Sequence, residues 1–174
     1  MAWIRGFLGD RRGAAAAEMA LVLPFLVTLM FVTFEGGYFL WNQHKVVKSV
    51  RDGARYAGRL PFSSYPDCAP PASTPAAVTG GVATTIKEVT RTGKMSGGTP
   101  AVLGWVNEDI TVTCSYETGI GGLYATNGNQ APRVTVSASV GYPDSPITSL
   151  AGVLGFDVND ISLNASAQSP VMGL

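Results

Sequence analysis

The longest apolar stretch of the chain runs from Ala14 to Phe34 and contains a single charged residue, Glu18. A helix of this length can cross the roughly 30 Å hydrocarbon core of a bilayer. Two arginines and a glycine, residues 11–13, stand directly before it. We therefore predict a membrane-spanning helix with one carboxylate, which is costly in lipid unless it has a partner or a purpose.

Beyond the apolar stretch, the hydrophobic positions recur every three or four residues, which is the period of an amphipathic helix. The recurring residues are Val46 or Val47, Val50, Ala54 and Ala57. We predict that a stalk helix continues from the membrane helix and ends before Pro61, because proline disfavours a helical conformation in the residue that precedes it.

A second stripe on the predicted stalk helix is basic. Its members are Lys45, Lys48, Arg51, Arg55 and Arg59. Lipid headgroups or the carboxylates of a neighbouring subunit are candidate contacts for these charges, and a solvated face is an equal alternative. The stripe lacks interleaved aromatic residues at its exposed positions, so nucleic acid is not expected as a partner.

Further along the chain, apolar and polar residues alternate in segments such as ITVTCSY and RVTVSASVGY, which indicates strands. The predicted strands are Ile110–Tyr116, Arg133–Tyr142 and Ile161–Gln168, and the predicted short helices are Val82–Arg91 and Ser149–Phe156. In the last strand, the residues expected to face inward are Ile161, Leu163, Ala165 and Ala167. These elements predict an α+β fold. In it, a long N-terminal transmembrane and stalk helix packs on a small antiparallel sheet of about three or four strands, with one or two short helices.

Three stretches of the body lack periodicity. Residues 61–80 form a predicted proline-rich loop. Residues 117–132 form a predicted Gly-rich loop of about sixteen residues, which is either a contact surface or a disordered insertion. Residues 157–160, DVND, superficially resemble a calcium loop. They lack the glycine and the final acidic residue that such a loop requires, so a turn is the better interpretation.

The composition agrees with a β-rich, turn-rich body, because only 14% of the residues are charged while the chain has 21 glycines and 11 prolines. The formal net charge of zero hides an excess of +2 in residues 1–13, which contain three arginines and one aspartate. By the positive-inside rule this end stays in the cytoplasm and the remainder is exported, although the basic stripe beyond the membrane helix weakens the rule here.

The two cysteines, Cys68 and Cys114, are an even number in a domain that is expected to be exported. A disulfide between them is the natural interpretation, and two buried free thiols are the alternative. An unstrained disulfide would stabilise the domain by roughly 4 kcal/mol.

The membrane segment does not have the order of a cleaved secretory signal, because its alanines precede the apolar core instead of following it. A short basic leader ending in Gly13, followed by Ala14 and then by Glu18, resembles the prepilin signal of type IV pilins. It is similar in particular to that of the TadE-like minor pilins of the tight-adherence (Tad, or Flp) pilus.

The resemblance to TadE-like chains continues past the membrane, through residues 35–37 (EGG) and residues 51–57 (RDGARYA). Two positions depart from the family pattern. Met19 follows the glutamate where these pilins usually have an aromatic residue, and Gly36 replaces the aromatic residue of a Glu-aromatic-Gly segment.

The resemblance implies that a prepilin peptidase cuts between Gly13 and Ala14, which makes Glu18 the fifth residue of the mature chain. Cleavage would create a positive α-amino group at Ala14, and the i to i+4 spacing places Glu18 on the same helix face. The carboxylate could neutralise that amine within one chain, or meet the amine of a neighbour and set the axial stagger of a filament. A glutamate that only sits at the level of the cytoplasmic headgroups is the alternative.

Pro24 lies within the apolar run, where it frees a backbone carbonyl and kinks or loosens the helix. The resemblance implies that Pro24 marks the site where the helix stretches as the subunit leaves the membrane for the filament. A tolerated kink, covered by neighbouring helices, is the alternative.

The predicted organisation has four parts: a cleaved basic leader (1–13), a transmembrane helix (14–34), an amphipathic stalk helix (35–60) and an exported α+β body (61–174). The predicted function is that of a minor pilin or pseudopilin. It is processed by prepilin peptidase and takes part in assembling or priming a Tad-type pilus for adherence, surface attachment or secretion. The alternative is a bitopic envelope protein with an uncleaved anchor and a binding or scaffolding body.

The partners that the resemblance implies are the prepilin peptidase, the major pilin, other minor pilins, the inner-membrane assembly platform and the lipid bilayer. It places the chain in the bacterial inner membrane, with a periplasmic body, or in the extracellular pilus. No catalysis, cofactor or small-molecule substrate is expected. His44 is the only histidine in the sequence, so neither a zinc site nor a catalytic triad is predicted.

Overall fold

The computed structural model describes residues 13–68, 75–145, 148 and 161–173. The chain divides into two units, Met1–Tyr38 and Phe39–Leu174. Helix α1, Ala14–Gly58, begins in the first unit and ends in the second. The predicted α+β class, with a long N-terminal helix and a small antiparallel sheet, is confirmed. The finer predicted division into leader, membrane helix, stalk and body stays a prediction.

The first unit is helical from Ala14 onward, and all of residues 14–34 are exposed. α1 is long and apolar enough to cross a membrane, with a mean hydropathy of 2.1 in its most apolar window. The hydroxyls of Thr28 and Thr33 each donate to the backbone carbonyl four residues earlier, at 2.8 Å. These two polar side chains are therefore satisfied within the helix, as a lipid environment requires.

The second unit joins the C-terminal part of α1 to a second helix and a four-stranded sheet. Helix α2 spans Gly80–Thr92, and the strands are β1 (Ala76–Ala77), β2 (Ile110–Thr118), β3 (Gln130–Gly141) and β4 (Ser162–Pro170). Short 3₁₀ helices lie at Phe62–Ser64, Asn107–Asp109 and Gly122–Asn127. The strands are antiparallel in the order β1-β2-β3-β4.

Alternation along the strands gives the sheet one apolar face and one polar face, as the sequence predicts. The buried residues of the two central strands are Ile110, Val112, Cys114, Val134, Val136, Ala138 and Val140. The register pairs Val112 with Val136 and Val136 with Ala167, so these residues form a row across three strands. The opposite face carries short polar side chains, for example Ser137 and Ser166, whose hydroxyl oxygens are 3.0 Å apart.

Helix α1 contributes its predicted apolar stripe to the core. Of the two candidate valines, Val46 is fully buried while Val47 is only half-buried. The other core residues of α1 are Val50, Ala54 and Ala57, and α2 adds Ile86. Trp105 is the largest of the fully buried side chains, and its Nε1 has no hydrogen-bond partner in the described part of the chain.

The prediction for the Gly-rich segment 117–132 is wrong in its extent, because β2 continues to Thr118 and β3 begins at Gln130. The intervening turn is ordered, so the disordered-insertion alternative is also wrong. The N–H of Ile120 donates to the carbonyl of Asn129 at 3.1 Å, and the N–H of Asn129 donates to the carbonyl of Tyr124 at 2.9 Å. Cross-strand pairing, which local periodicity does not reveal, extends the hairpin. A contact role for this turn stays a prediction.

Two details of the strand prediction also differ. Strand β1 lies in the segment predicted as a proline-rich loop, and it forms because Ala76 and Ala77 pair with Cys114 and Thr113. Ile161, predicted to face inward, lies just before β4 and is 40% exposed. The predicted helix 149–156 and the predicted turn 157–160 lie outside the described residues.

Candidate functional site

The residues predicted for cleavage and assembly lie at the N-terminal end of α1. The helix begins at Ala14, so the predicted scissile bond joins Gly13 to the first residue of the α-helix. Glu18 follows one turn later and is exposed, as are its neighbours on the helix. Ala14 and Glu18 share one helix face because they are four residues apart. An amine created at Ala14 would therefore stand one turn from the carboxylate, while cleavage itself stays a prediction.

Pro24 lies inside α1 and the helix continues past it. Proline has no N–H, so the carbonyl of Ala20 loses the hydrogen bond that a regular helix would provide. The carbonyl of Pro24 accepts a hydrogen bond from the hydroxyl of Thr28 at 2.8 Å. The site is thus a weak point in the backbone ladder of an otherwise continuous helix, and both predicted roles for it stay predictions.

The residues of the basic stripe on α1 lie in two different environments. Lys45 is half-buried, and its Nζ lies 5.5 Å from the centre of the exposed Trp41 ring, which is within range of a cation–π contact. The other four residues, Lys48, Arg51, Arg55 and Arg59, are exposed and form what we call the basic face. This face points away from the core because it lies opposite the buried Val46–Val50–Ala54 stripe.

The disulfide between Cys68 and Cys114 is present, with the two Cα atoms 5.1 Å apart. It ties the segment that follows α1 to the centre of β2. Tyr65 reinforces the same connection, because its hydroxyl donates to the carbonyl of Ala57 near the end of α1 at 2.7 Å. Burial raises the pKa of the Tyr65 phenol, so it stays protonated and keeps donating.

Sequence reasoning missed the glycines that let α1 lie close to its neighbours. A Cβ built at Gly53 would overlap Oγ1 of Thr90 in α2, and it would lie 2.9 Å from the Cβ of Thr90. A Cβ at Gly58 would lie 2.7 Å from the carbonyl oxygen of Pro170 at the end of β4. The sequence signal was available, since Gly53 and Gly58 interrupt an amphipathic helix, but it does not say which element approaches.

A polar cluster at the end of α2 was also missed. Arg91 donates to both carboxylate oxygens of Glu88, at 2.8 and 3.0 Å, and Asn107 donates to one of them at 3.2 Å. These hydrogen bonds, first from Arg91 and then from Asn107, lower the pKa of Glu88. The cluster connects α2 to the turn that leads into β2, so its role in the fold is structural.

Two cavities flank the segment 61–68, with volumes of about 270 and 530 Å³. Ser63, Tyr65 and Pro66 line both of them, and each is also lined by one residue of the disulfide, Cys114 in the smaller and Cys68 in the larger. His44 is exposed on α1. Within the ranges that the structure describes, no three His, Cys, Asp or Glu side chains come together in a group that could hold a metal ion.

A comparison with protein families matches residues 13–55 to the TadE-like protein family. The match begins at the predicted cleavage glycine and ends inside the stalk part of α1. It confirms the resemblance that the sequence predicts for this segment. Comparisons with curated proteins and with solved structures gave no match.

Proposed function

We propose that this chain is a minor pilin or pseudopilin of a Tad-type pilus, processed by prepilin peptidase between Gly13 and Ala14. The observation that carries the proposal is the TadE-like match over residues 13–55. It covers the glycine, the glutamate and a membrane-length helix in one continuous segment. A pilus-related, membrane-anchored protein is the coarser conclusion that this match supports. The cleavage and the assembly role are the finer parts of the proposal.

In the proposed mechanism, the exposed apolar part of α1 has two successive roles, as a membrane anchor and as a packing surface. Before assembly it holds the protein in the inner membrane with its N-terminus in the cytoplasm, and during assembly the same surface packs against other pilin helices. Burying an unpaired carboxylate among such helices is costly, so Glu18 favours the position in which it meets a neighbour's α-amino group. That pairing sets the axial register of the subunit.

The body has a different part in the proposal. The major pilin, other minor pilins and the assembly platform are the proposed partners, and the body presents to them a surface that the disulfide and the α1–sheet core keep rigid. The chemistry proposed is assembly by packing and charge pairing. Whether the subunit primes the filament or joins it, the first step is removal of residues 1–13, because the leader's arginines oppose extraction from the cytoplasmic face.

The intact mass of the chain tests the cleavage step. The full chain is produced in cells with and without a prepilin peptidase of the Tad type, and the expected result is loss of residues 1–13 only when the peptidase is present. Gly13→Leu should prevent the loss of residues 1–13. The control Gly9→Leu, within the leader, should still lose the leader when the peptidase is present. A chain that keeps Met1 in the presence of active peptidase would overturn the proposal in favour of the uncleaved envelope anchor.

A further inference from the structure

Charge is distributed unevenly along the second unit. Residues 39–60 contain five basic residues and one acidic residue, a charge of +4, whereas residues 61–174 contain four basic and eight acidic residues, a charge of −4. The two charges cancel in the total, but they belong to different parts of the sequence. A molecule with this pattern carries one positive surface and a complementary negative remainder, which favours association between copies in one relative orientation.

The positive surface is the basic face, Lys48, Arg51, Arg55 and Arg59, whose members recur every three or four residues and so lie in one row along α1. Asp52 is the single acidic residue of the stalk, and it lies 3.9 Å from Arg55 with both side chains largely exposed. Such exposed pairs interact weakly. Lys48, Arg51 and Arg59 make no ion pair with any residue in the described ranges. The face therefore keeps most of its charge available for a partner.

The negative counterpart is a cavity of about 340 Å³ between the turn before β2 and the end of β3, which we call the acidic cavity. Asp109 and Asp144 line it, and Glu108 is exposed in the same turn as Asp109. Its rim includes Leu103, which is 76% exposed, and Val106, which is 47% exposed. Arginine and lysine side chains can pack their methylene groups against such exposed apolar residues. Their charged ends can then donate hydrogen bonds to the neighbouring carboxylates.

The basic face and the acidic cavity of one copy lie too far apart to satisfy each other. Tyr142 lines the cavity, and its ring is 5.6 Å from the ring of Phe39 at the beginning of the stalk. Measured from Phe39 along a helix with a rise of about 1.5 Å per residue, the basic face extends from about 14 Å at Lys48 to about 30 Å at Arg59. These distances exceed the screening length of about 8 to 10 Å at physiological salt. The complementary surface must come from a second molecule.

We propose that the basic face of one copy binds the acidic cavity of a second copy that is displaced along the axis of α1. The two surfaces differ, so the contact is heterologous and each copy keeps one free surface of each kind for the next copy. Repetition of this contact would build a row of copies. The proposal deepens the proposed function, on which the place of this row in a pilus rests.

Sedimentation velocity of the full chain in uncharged detergent micelles tests this contact through two charge-reversed variants. One carries Arg51→Glu and Arg55→Glu in the basic face, and the other carries Glu108→Lys and Asp144→Lys in the acidic cavity. Asp109 is left intact because its carboxylate accepts a hydrogen bond from the N–H of Val106 at 3.1 Å and holds the turn. All four substituted side chains are exposed, so the variants should fold, which their thermal unfolding curves will show.

The expected result is that each variant alone self-associates at least about tenfold more weakly than the unsubstituted chain, while an equimolar mixture of the two recovers to within about threefold. Raising the salt from about 0.05 to 0.5 M should weaken association of the unsubstituted chain by about tenfold. Two control variants make the same charge changes elsewhere, Lys87→Glu with Lys94→Glu and Asp67→Lys with Glu117→Lys, and they should associate like the unsubstituted chain.

Three results would overturn the proposal. The first is a mixture that associates no better than either variant alone, and the second is a variant that associates as well as the unsubstituted chain. The third is binding to vesicles of anionic phospholipid that is lost on reversal of the basic face, while self-association stays unchanged. That outcome would assign the basic face to lipid headgroups. None of these results depends on cleavage at Gly13, so the proposed function is tested separately.

Discussion

Glu88 illustrates how a single carboxylate links two elements of the body. It accepts hydrogen bonds from Arg91 and Asn107, and so joins the end of α2 to the turn before β2. Both donors favour the ionised carboxylate and lower its pKa. Arg91 donates to both carboxylate oxygens from Nη2, while its Nε donates to the side-chain carbonyl of Asn107 at 3.1 Å, so the planar guanidinium holds both partners at once.

We expect this cluster to contribute an acid-sensitive part of the stability. The pKa of Glu88 is lower in the folded state than in the unfolded state, where a glutamate titrates near about 4.3. The contribution is therefore complete above about pH 5 and is lost as the pH falls through the folded pKa, because the unfolded state then binds more protons. Between about pH 5 and 3, the free energy of unfolding should therefore decrease less steeply in the Glu88→Gln variant than in the unsubstituted chain.

Denaturant unfolding of the full chain at several pH values measures this effect. Glu117→Gln is the matched control, since Glu117 is exposed on β2 and has no ion pair with the described residues. If the Glu88 variant and the control show the same pH dependence as the unsubstituted chain, the cluster does not contribute in the way that its geometry indicates.

At the scale of elements, the close approach of α1 and α2 depends on the lack of a side chain at Gly53. The hydroxyl of Thr90 occupies the space that a Cβ would take, and it donates to the carbonyl of Ile86 at 2.7 Å within its own helix. Thr90 is 1% exposed. The contact has little room to adjust, because the atoms on both sides are buried and close-packed.

Gly53→Ala should lower the free energy of unfolding by about 1 to 3 kcal/mol, because the new methyl group forces α1 and α2 apart. In an open helical position the same change should stabilise by up to about 1 kcal/mol. Gly81→Ala provides that control, since Gly81 lies in α2 with no atom within 4 Å of a built Cβ. Thermal or denaturant unfolding compares the two, and a Gly53 variant as stable as the control would show that the helices separate at no cost.

At the scale of the whole molecule, the two units differ in which side chains of α1 are exposed and which are buried. In the first, every residue from 14 to 34 is exposed, and Glu18 is the one charged side chain in that stretch. In the second, the helix buries Val46, Val50, Ala54 and Ala57 and keeps its charges outside. One continuous helix is therefore exposed along its first part and packed on the core along its second, and in the proposed assembly both of its surfaces gain partners.

Glu18→Gln should leave the leader cleavable but reduce pilus formation at least about tenfold, because a neutral side chain does not pair with a neighbour's α-amino group. Pili sheared from cells that produce only the variant are quantified alongside the mass of the chain. Met19→Ala is the control, since Met19 is also exposed on α1 and uncharged. Normal pilus yield with Glu18→Gln would contradict the pairing and leave Glu18 as a residue at the level of the headgroups.

The sequence alone determined the features that depend on local order. The membrane-length helix, the stalk with its buried valines and alanines, helix α2 and the alternation in β2, β3 and β4 all follow from the spacing of apolar residues within each segment. The motif that predicts cleavage is equally local, since it consists of a glycine, a glutamate and the apolar run that follows, while cleavage itself stays a prediction. The even number of cysteines was enough to favour the disulfide, because no other pairing was available.

Tertiary structure decided the features that depend on which segments meet. The two-residue strand β1, the extension of the β2–β3 hairpin and the exposure of Ile161 follow from pairing and packing between distant residues. The contact of Gly53 with Thr90 and the burial of Trp105 have the same origin. The separation of the basic face from the acidic cavity has this origin too. Charge and hydrophobicity are properties of residues, whereas distances between remote residues arise only when the chain closes around a common core.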